Sequence, residues 1–161
     1  MRENKKIMSL LFFIAAAGIV QFAGSLFTFE AVINWYPSLN KPAFNPPSWI
    51  FAPVWTILYL LIALSGWLVW KKREEKKSLV DFALTAYSLQ LFLNVLWSYL
   101  FFQLRSPAAG MAGIIFLWAA IVWNMNIFRK ISKKAFYLLA PYLAWVSFAA
   151  ILNFAVWRLN D

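Results

Sequence analysis

Residues 35–55 read WYPSLNKPAFNPPSWIFAPVW and lie between two long apolar runs. Pro37, Pro42, Pro46 and Pro47 come before its final turn, yet the stretch also holds Trp35, Trp49, Trp55 and Tyr36. Each proline fixes its own φ and biases the preceding residue toward extended backbone. Such a segment is a stiff strap, and its rings need an apolar surface to rest on.

The rest of the chain supplies that surface. Of 161 residues, 63% are hydrophobic and 13% charged, against roughly a quarter charged in soluble proteins. A domain this small cannot hide so much apolar area from water, so its main solvent is lipid. Five apolar runs stand at about 7–29, 49–70, 81–103, 107–128 and 135–157, and about 20 residues suffice to cross a hydrocarbon core of roughly 30 Å. The expected fold is an all-α integral membrane protein, a single five-transmembrane-helix bundle over 1–161 with a lid loop at 30–48. The turns KKREEKK (71–77), RSP (105–107) and RKISKK (129–134) are short, which makes consecutive helices antiparallel neighbours. Ser48 is expected to cap the second span and Pro107 to begin the fourth.

With five spans, one side carries Arg2, Lys5, Lys6, Lys71, Lys72, Arg73, Lys76, Lys77, Arg129, Lys130, Lys133 and Lys134, and the other Lys41, Arg105 and Arg158. The positive-inside rule then places the N-terminus in the cytoplasm and the C-terminus and strap outside, as in a bacterial inner membrane. The leader MRENKKIMSLLFFIAAAGIVQFAGS has the outline of a cleavable signal peptide, but its run is long for one, and a retained first span is expected. The formal charge of +9 is spread over short clusters between apolar runs, unlike the continuous basic patch of a nucleic-acid binder.

The chain has no cysteine and no histidine. Disulfides, thiolate chemistry, His-based triads and zinc-type sites are therefore excluded, and no cofactor or metal is expected as a requirement. Glu3, Glu30, Glu74, Glu75, Asp81 and Asp161 all lie at or beyond span ends, which argues against an ion-driven carrier with a charge in mid-membrane. Gln21 and Asn124 read as hydrogen-bonding links between helices.

Helical spacing places Gln90, Asn94, Trp97 and Phe101 on one face of the third span, Pro141, Trp145, Ala149 and Asn153 on one face of the fifth, and Phe51, Trp55 and Tyr59 on one face of the second. Three aromatic stripes with a few amides suit either core packing or the walls of a pocket for a flat apolar ligand. Trp49, Trp67, Trp70, Trp118, Trp123 and Trp157 fit an interfacial belt. The pairs Gly24/Thr28, Ala109/Gly113 and Ala140/Ala144 permit close helix approach and, by extension, pairing with a second copy.

WYPSLNKPAFNPPSWIFAPVWTILY (35–59), LNVLWSYLFF (93–102) and PYLAWVSFAAILNFAVWRLN (141–160) resemble the tryptophan-rich sensory protein / translocator protein (TspO) family, also called peripheral-type benzodiazepine receptors. The resemblance implies a five-helix membrane bundle, commonly a homodimer, that binds protoporphyrin IX and, in some members, haem, sterols or drug-like molecules. It also implies a pocket closed by the first loop and lined by the first, second, third and fifth spans, with ligand-binding residues at Trp35, Tyr36, Pro46, Trp55, Asn94, Trp97, Trp145 and Ala149. Light- and oxygen-dependent porphyrin degradation, described for some bacterial members, would put Trp55 and Trp145 nearest the chemistry. Phe154 stands where animal members carry a tyrosine invoked for cholesterol, and GMAGIIFLW (110–118) lacks the acidic residue of some relatives, so their selectivity is not carried over.

Three functions follow as alternatives: a porphyrin receptor, sensor or carrier; a photo-oxidative porphyrin-degrading enzyme; and a scaffold whose partner proteins meet the basic turns. In the first, Asn94 and tryptophan N–H groups are expected to meet the propionates or ring edges. Without His or Cys, axial coordination of haem iron would fall to Tyr or Met, which favours the metal-free porphyrin.

Overall fold

The computed structural model describes residues 3–161. Arg2, counted above among the basic residues, lies outside them. The chain runs through α1 (Glu3–Asn34), α2 (Phe51–Trp70), α3 (Lys77–Ser98), α4 (Pro107–Ile131), α5 (Lys133–Leu138) and α6 (Ala140–Leu159). Together with its flanking turns this gives, among the described residues, five helical segments long and apolar enough to cross a membrane, α5 and α6 forming the last. The protein is an all-α integral membrane protein.

Helix ends follow local chemistry. At α4, Ser106 accepts a hydrogen bond from the Ala109 N–H at 3.1 Å and Pro107 occupies the first turn, as its missing N–H allows. Ser132 caps α5 in the same way at 3.3 Å. Pro141 has no N–H to bond to the carbonyl a turn earlier, so the last span breaks at Leu139 into α5 and α6. After α3 the backbone widens into a π turn, Tyr99–Gln103, closed by Leu104 N–H to the Tyr99 carbonyl at 3.0 Å. Arg105 then takes φ 50° and ends the element.

Ser48 does not cap the second span. It opens a 3-10 turn, Ser48–Ile50, whose side chains make no capping bond. The extended backbone at Pro47 leads straight into that turn, and Ile50 N–H bonds to the Pro47 carbonyl at 3.1 Å.

α1 packs on α2 and α3, α4 on α3 and α6. The approach of α4 to the π turn after α3 depends on glycine: a Cβ on Gly113 would lie 2.8 Å from Leu100 Cδ1, and one on Gly110 2.6 Å from Phe101 Cδ2. Gly24 likewise faces Ser98 of α3. These small residues serve contacts within the chain, while Ala140 and Ala144 stay exposed. Gln21 links α1 to Thr56 of α2 at 3.1 Å. Asn124 does not make the expected link: it is fully buried in α4, yet its amide has no hydrogen-bond partner among the described residues.

The two ends of the bundle are assembled differently. At one, Trp67 of α2 donates to Ser9 Oγ of α1 at 3.2 Å, and Lys76 Nζ donates to the Lys130 carbonyl at 3.2 Å, which joins the two charged turns. At the other, Arg105 donates to both Glu30 carboxylate oxygens at 3.0 and 3.1 Å. The strap, 35–47, crosses this second end.

Candidate functional site

The strap is held by its own polar groups. Lys41 Nζ donates to the carbonyls of Tyr36, Pro37 and Leu39 at 2.9, 3.1 and 2.7 Å. The Tyr36 hydroxyl donates to Asn45 Oδ1 at 2.7 Å, and burial pushes this phenol up to about 12. Asn160, just beyond α6, grips the middle of the strap: its Oδ1 accepts from the Asn40 N–H at 2.9 Å and its Nδ2 donates to the Asn40 carbonyl at 2.8 Å.

Beneath the strap is a cavity of about 410 Å³, lined from α1, α2, the C-terminal half of α3 with its π turn, and α6. That volume falls within the range of ligand pockets, roughly 300–1,000 Å³. Trp55 sits among Trp97, Tyr59 and Tyr142, with ring centroids 6.3, 5.8 and 6.4 Å away. Trp145 faces Phe51 across 6.0 Å. Gln21, Ser25, Ser48 and Asn153 add polarity, and no charged side chain lines the cavity among the described residues.

Of the residues expected in the pocket, Tyr36, Trp55, Asn94, Trp97, Trp145 and Ala149 line the cavity, whereas Trp35 and Pro46 do not. Trp35 turns onto Phe101 at 5.6 Å, behind the wall, and Pro46 spends its carbonyl on Asn45 Nδ2 at 3.3 Å within the strap. Trp49, expected in the interfacial belt, is 74% exposed. Gln90 shares the α3 face of Asn94 but lies a turn deeper, buried and outside the cavity, without a partner among the described residues.

The expected polar contacts are largely committed elsewhere. Asn94 Oδ1 accepts from the Tyr59 hydroxyl at 3.1 Å and Asn94 Nδ2 donates to the Tyr142 hydroxyl at 2.7 Å. Trp97 Nε1 donates to Asn153 Oδ1 at 3.2 Å, and Asn153 Nδ2 to the Pro107 carbonyl at 2.7 Å. Asn94 and Trp97 are thus structural girders of the cavity floor and wall. The indole N–H groups of Trp55 and Trp145 have no hydrogen-bond partner among the described residues. Tyr142 is a further residue of the site, and its place three residues before Trp145 puts it on the same helix face.

Strap, stripes and cavity converge with the sequence comparisons. The TspO/MBR family pattern matches residues 11–158. The chain belongs to the TspO/MBR family. It is 45% identical to the "Tryptophan-rich protein TspO" of Chlorobaculum tepidum, over 98% of this chain and 99% of that protein. It is 35% identical to the "Translocator protein" of Homo sapiens, over 92% of this chain and 88% of the relative. Identity to the "Tryptophan-rich sensory protein" of Cereibacter sphaeroides is also 35%, over 93% and 90% of the two chains. This TspO/MBR chain therefore matches its relatives along nearly their whole length, strap included.

Proposed function

We propose that this chain is a membrane receptor or sensor that takes a flat, largely apolar tetrapyrrole, protoporphyrin IX, into the cavity beneath the strap. One observation carries the reading: an aromatic cavity with no charged lining side chain among the described residues, with Tyr36 of the strap in its lining and the strap held at Asn160. Rings stacked at a macrocycle gain dispersion and quadrupole contacts. With no cationic side chain in the lining among the described residues, such a ligand sits with its propionates toward the mouth and its apolar edge toward Tyr59 and Trp97. The free indole N–H groups of Trp55 and Trp145 are the donors that meet its polar atoms. The strap end faces outward across a bacterial inner membrane in this reading, and two copies pair in the bilayer.

The contiguous ring set around Trp55 also favours a second reading, in which bound porphyrin sensitises its own light- and oxygen-dependent breakdown. A single titration tests both. Purified protein is titrated with protoporphyrin IX in the dark, following tryptophan quenching and the Soret band, then illuminated in air. Saturable binding that Trp55→Phe and Trp145→Phe each weaken about three- to tenfold supports the receptor. Soret loss in light beyond that of free porphyrin, abolished in the double variant at saturating ligand, supports the enzyme. No saturable binding rejects both.

A further inference from the structure

A second cavity lies at the opposite end of the bundle, where α1 and α3 meet the end of α2. Its volume is about 640 Å³, and Lys5, Arg73 and Asp81 stand at its rim. Met8 and Phe12 of α1 and Leu84 of α3 add apolar lining to the groove. Met8 is 70% and Phe12 67% exposed, so the groove opens to the bilayer. From Lys5 to Phe12 the helix rises about 10 Å, the depth from a headgroup to the upper part of an acyl chain. One end is cationic and the other apolar, both along a single wall.

The donors in this groove are few. Thr85 donates its hydroxyl to the Asp81 carbonyl at 3.0 Å and Ser88 to the Leu84 carbonyl at 2.9 Å, so neither has a proton to offer. Ser9 donates to the Lys6 carbonyl at 2.9 Å and accepts from Trp67. Arg73 uses its Nε on Asp81 Oδ1 at 2.7 Å, which fixes the guanidinium while its terminal N–H groups make no hydrogen bond among the described residues. Lys5 makes no ion pair among the described residues. Two cations against one carboxylate leave a net positive rim above an apolar groove.

We propose that this groove binds one anionic phospholipid, its phosphodiester between Lys5 and the Arg73 guanidinium and an acyl chain along Met8, Phe12 and Leu84. A zwitterionic headgroup brings its own cation to the same rim and loses the advantage. The site is separate from the cavity beneath the strap and does not depend on the ligand bound there.

Native mass spectrometry of the full chain tests it, with dioleoylphosphatidylglycerol or dioleoylphosphatidylcholine titrated into the detergent-solubilised protein. The first phosphatidylglycerol is expected to bind on the order of tenfold more tightly than phosphatidylcholine. Lys5→Gln, which leaves the Arg73–Asp81 pair intact, should remove most of that preference, and Lys5→Gln with Arg73→Gln all of it. Lys133→Gln with Lys134→Gln, at a different turn, should keep it. Equal binding of the two lipids, a preference that survives both groove variants, or an equal loss in the control variant would overturn the assignment.

Discussion

Two buried asparagines show how a residue's partners decide its energetic sign. Asn94 is 2% exposed and bonded to two phenols; Asn124 is 0% exposed and bonded to nothing among the described residues. Orphaning a buried polar group costs about 1–3 kcal/mol, whereas replacing an already unpaired one with an apolar side chain removes that cost. Asn94→Leu strands the hydroxyls of Tyr59 and Tyr142 and is expected to lower the melting temperature by several degrees. Asn124→Leu should leave it unchanged or raise it. Thermal unfolding of both variants in the same detergent checks the pair, and a fall of similar size in both would contradict the hydrogen bonding described for α3 and α4. In sequence the two are indistinguishable, each an amide within an apolar run. Helical spacing made the cavity faces of α2, α3 and α6 legible, because side chains a turn apart must share a face. It did not reveal that Asn94 and Trp97 are occupied by Tyr142 and Asn153, since those pairings cross between helices far apart in the chain.

Among the elements, the strap is the one whose stability is adjustable apart from the bundle. Asn160→Ala removes both hydrogen bonds to the Asn40 backbone, each with a net value of about 0.5–1.5 kcal/mol. Amide exchange across 38–46 is expected to speed up about tenfold while the melting temperature moves little; unchanged exchange would mean that the prolines and the Lys41 and Tyr36 hydrogen bonds hold the strap without Asn160. The Tyr36 phenol adds a pH dependence. An exposed phenol titrates near 10, and burial moves this one to about 12. The folded strap thus holds a proton that the unfolded strap gives up, so its stability is flat below pH 10 and falls between 10 and 12. Spectrophotometric titration of the parent against Tyr36→Phe should show one phenolate appearing near 12 only in the parent. Element boundaries were less legible than the elements. Charged ends carry the helices further than hydropathy indicates: α1 spans Glu3–Asn34 and α3 begins at Lys77, because long Lys stems keep their heads in water while their backbones stay helical. The last segment, expected as one span over 135–157, instead breaks at Leu139 because Pro141 lacks an N–H. The π turn at Tyr99–Gln103 has no proline or glycine to mark it, and Phe101 within it packs against Gly110.

Across the whole molecule, the distribution of charge is more asymmetric in the structure than in the sequence. On the strap side, Lys41 is consumed by three carbonyls, Arg105 by Glu30, and Arg158 lies 3.8 Å from Asp161. At the other end, Lys5, Lys71, Lys77, Lys133 and Lys134 form no ion pair among the described residues. Cations left unpaired beside anionic lipid hold a segment on the cytoplasmic side, each worth about 1 kcal/mol near the surface. The chain should therefore insert with the strap outside and both charged turns inside. The absence of cysteine makes the test direct, because a single introduced thiol reports its own side. Ala43→Cys on the exposed strap and Glu74→Cys in the exposed 71–77 turn both sit away from the cavity. A membrane-impermeant maleimide applied to intact spheroplasts is expected to label Ala43→Cys at once and Glu74→Cys only after permeabilisation. The reverse pattern would invert the bundle, and with it the side from which a ligand meets the strap.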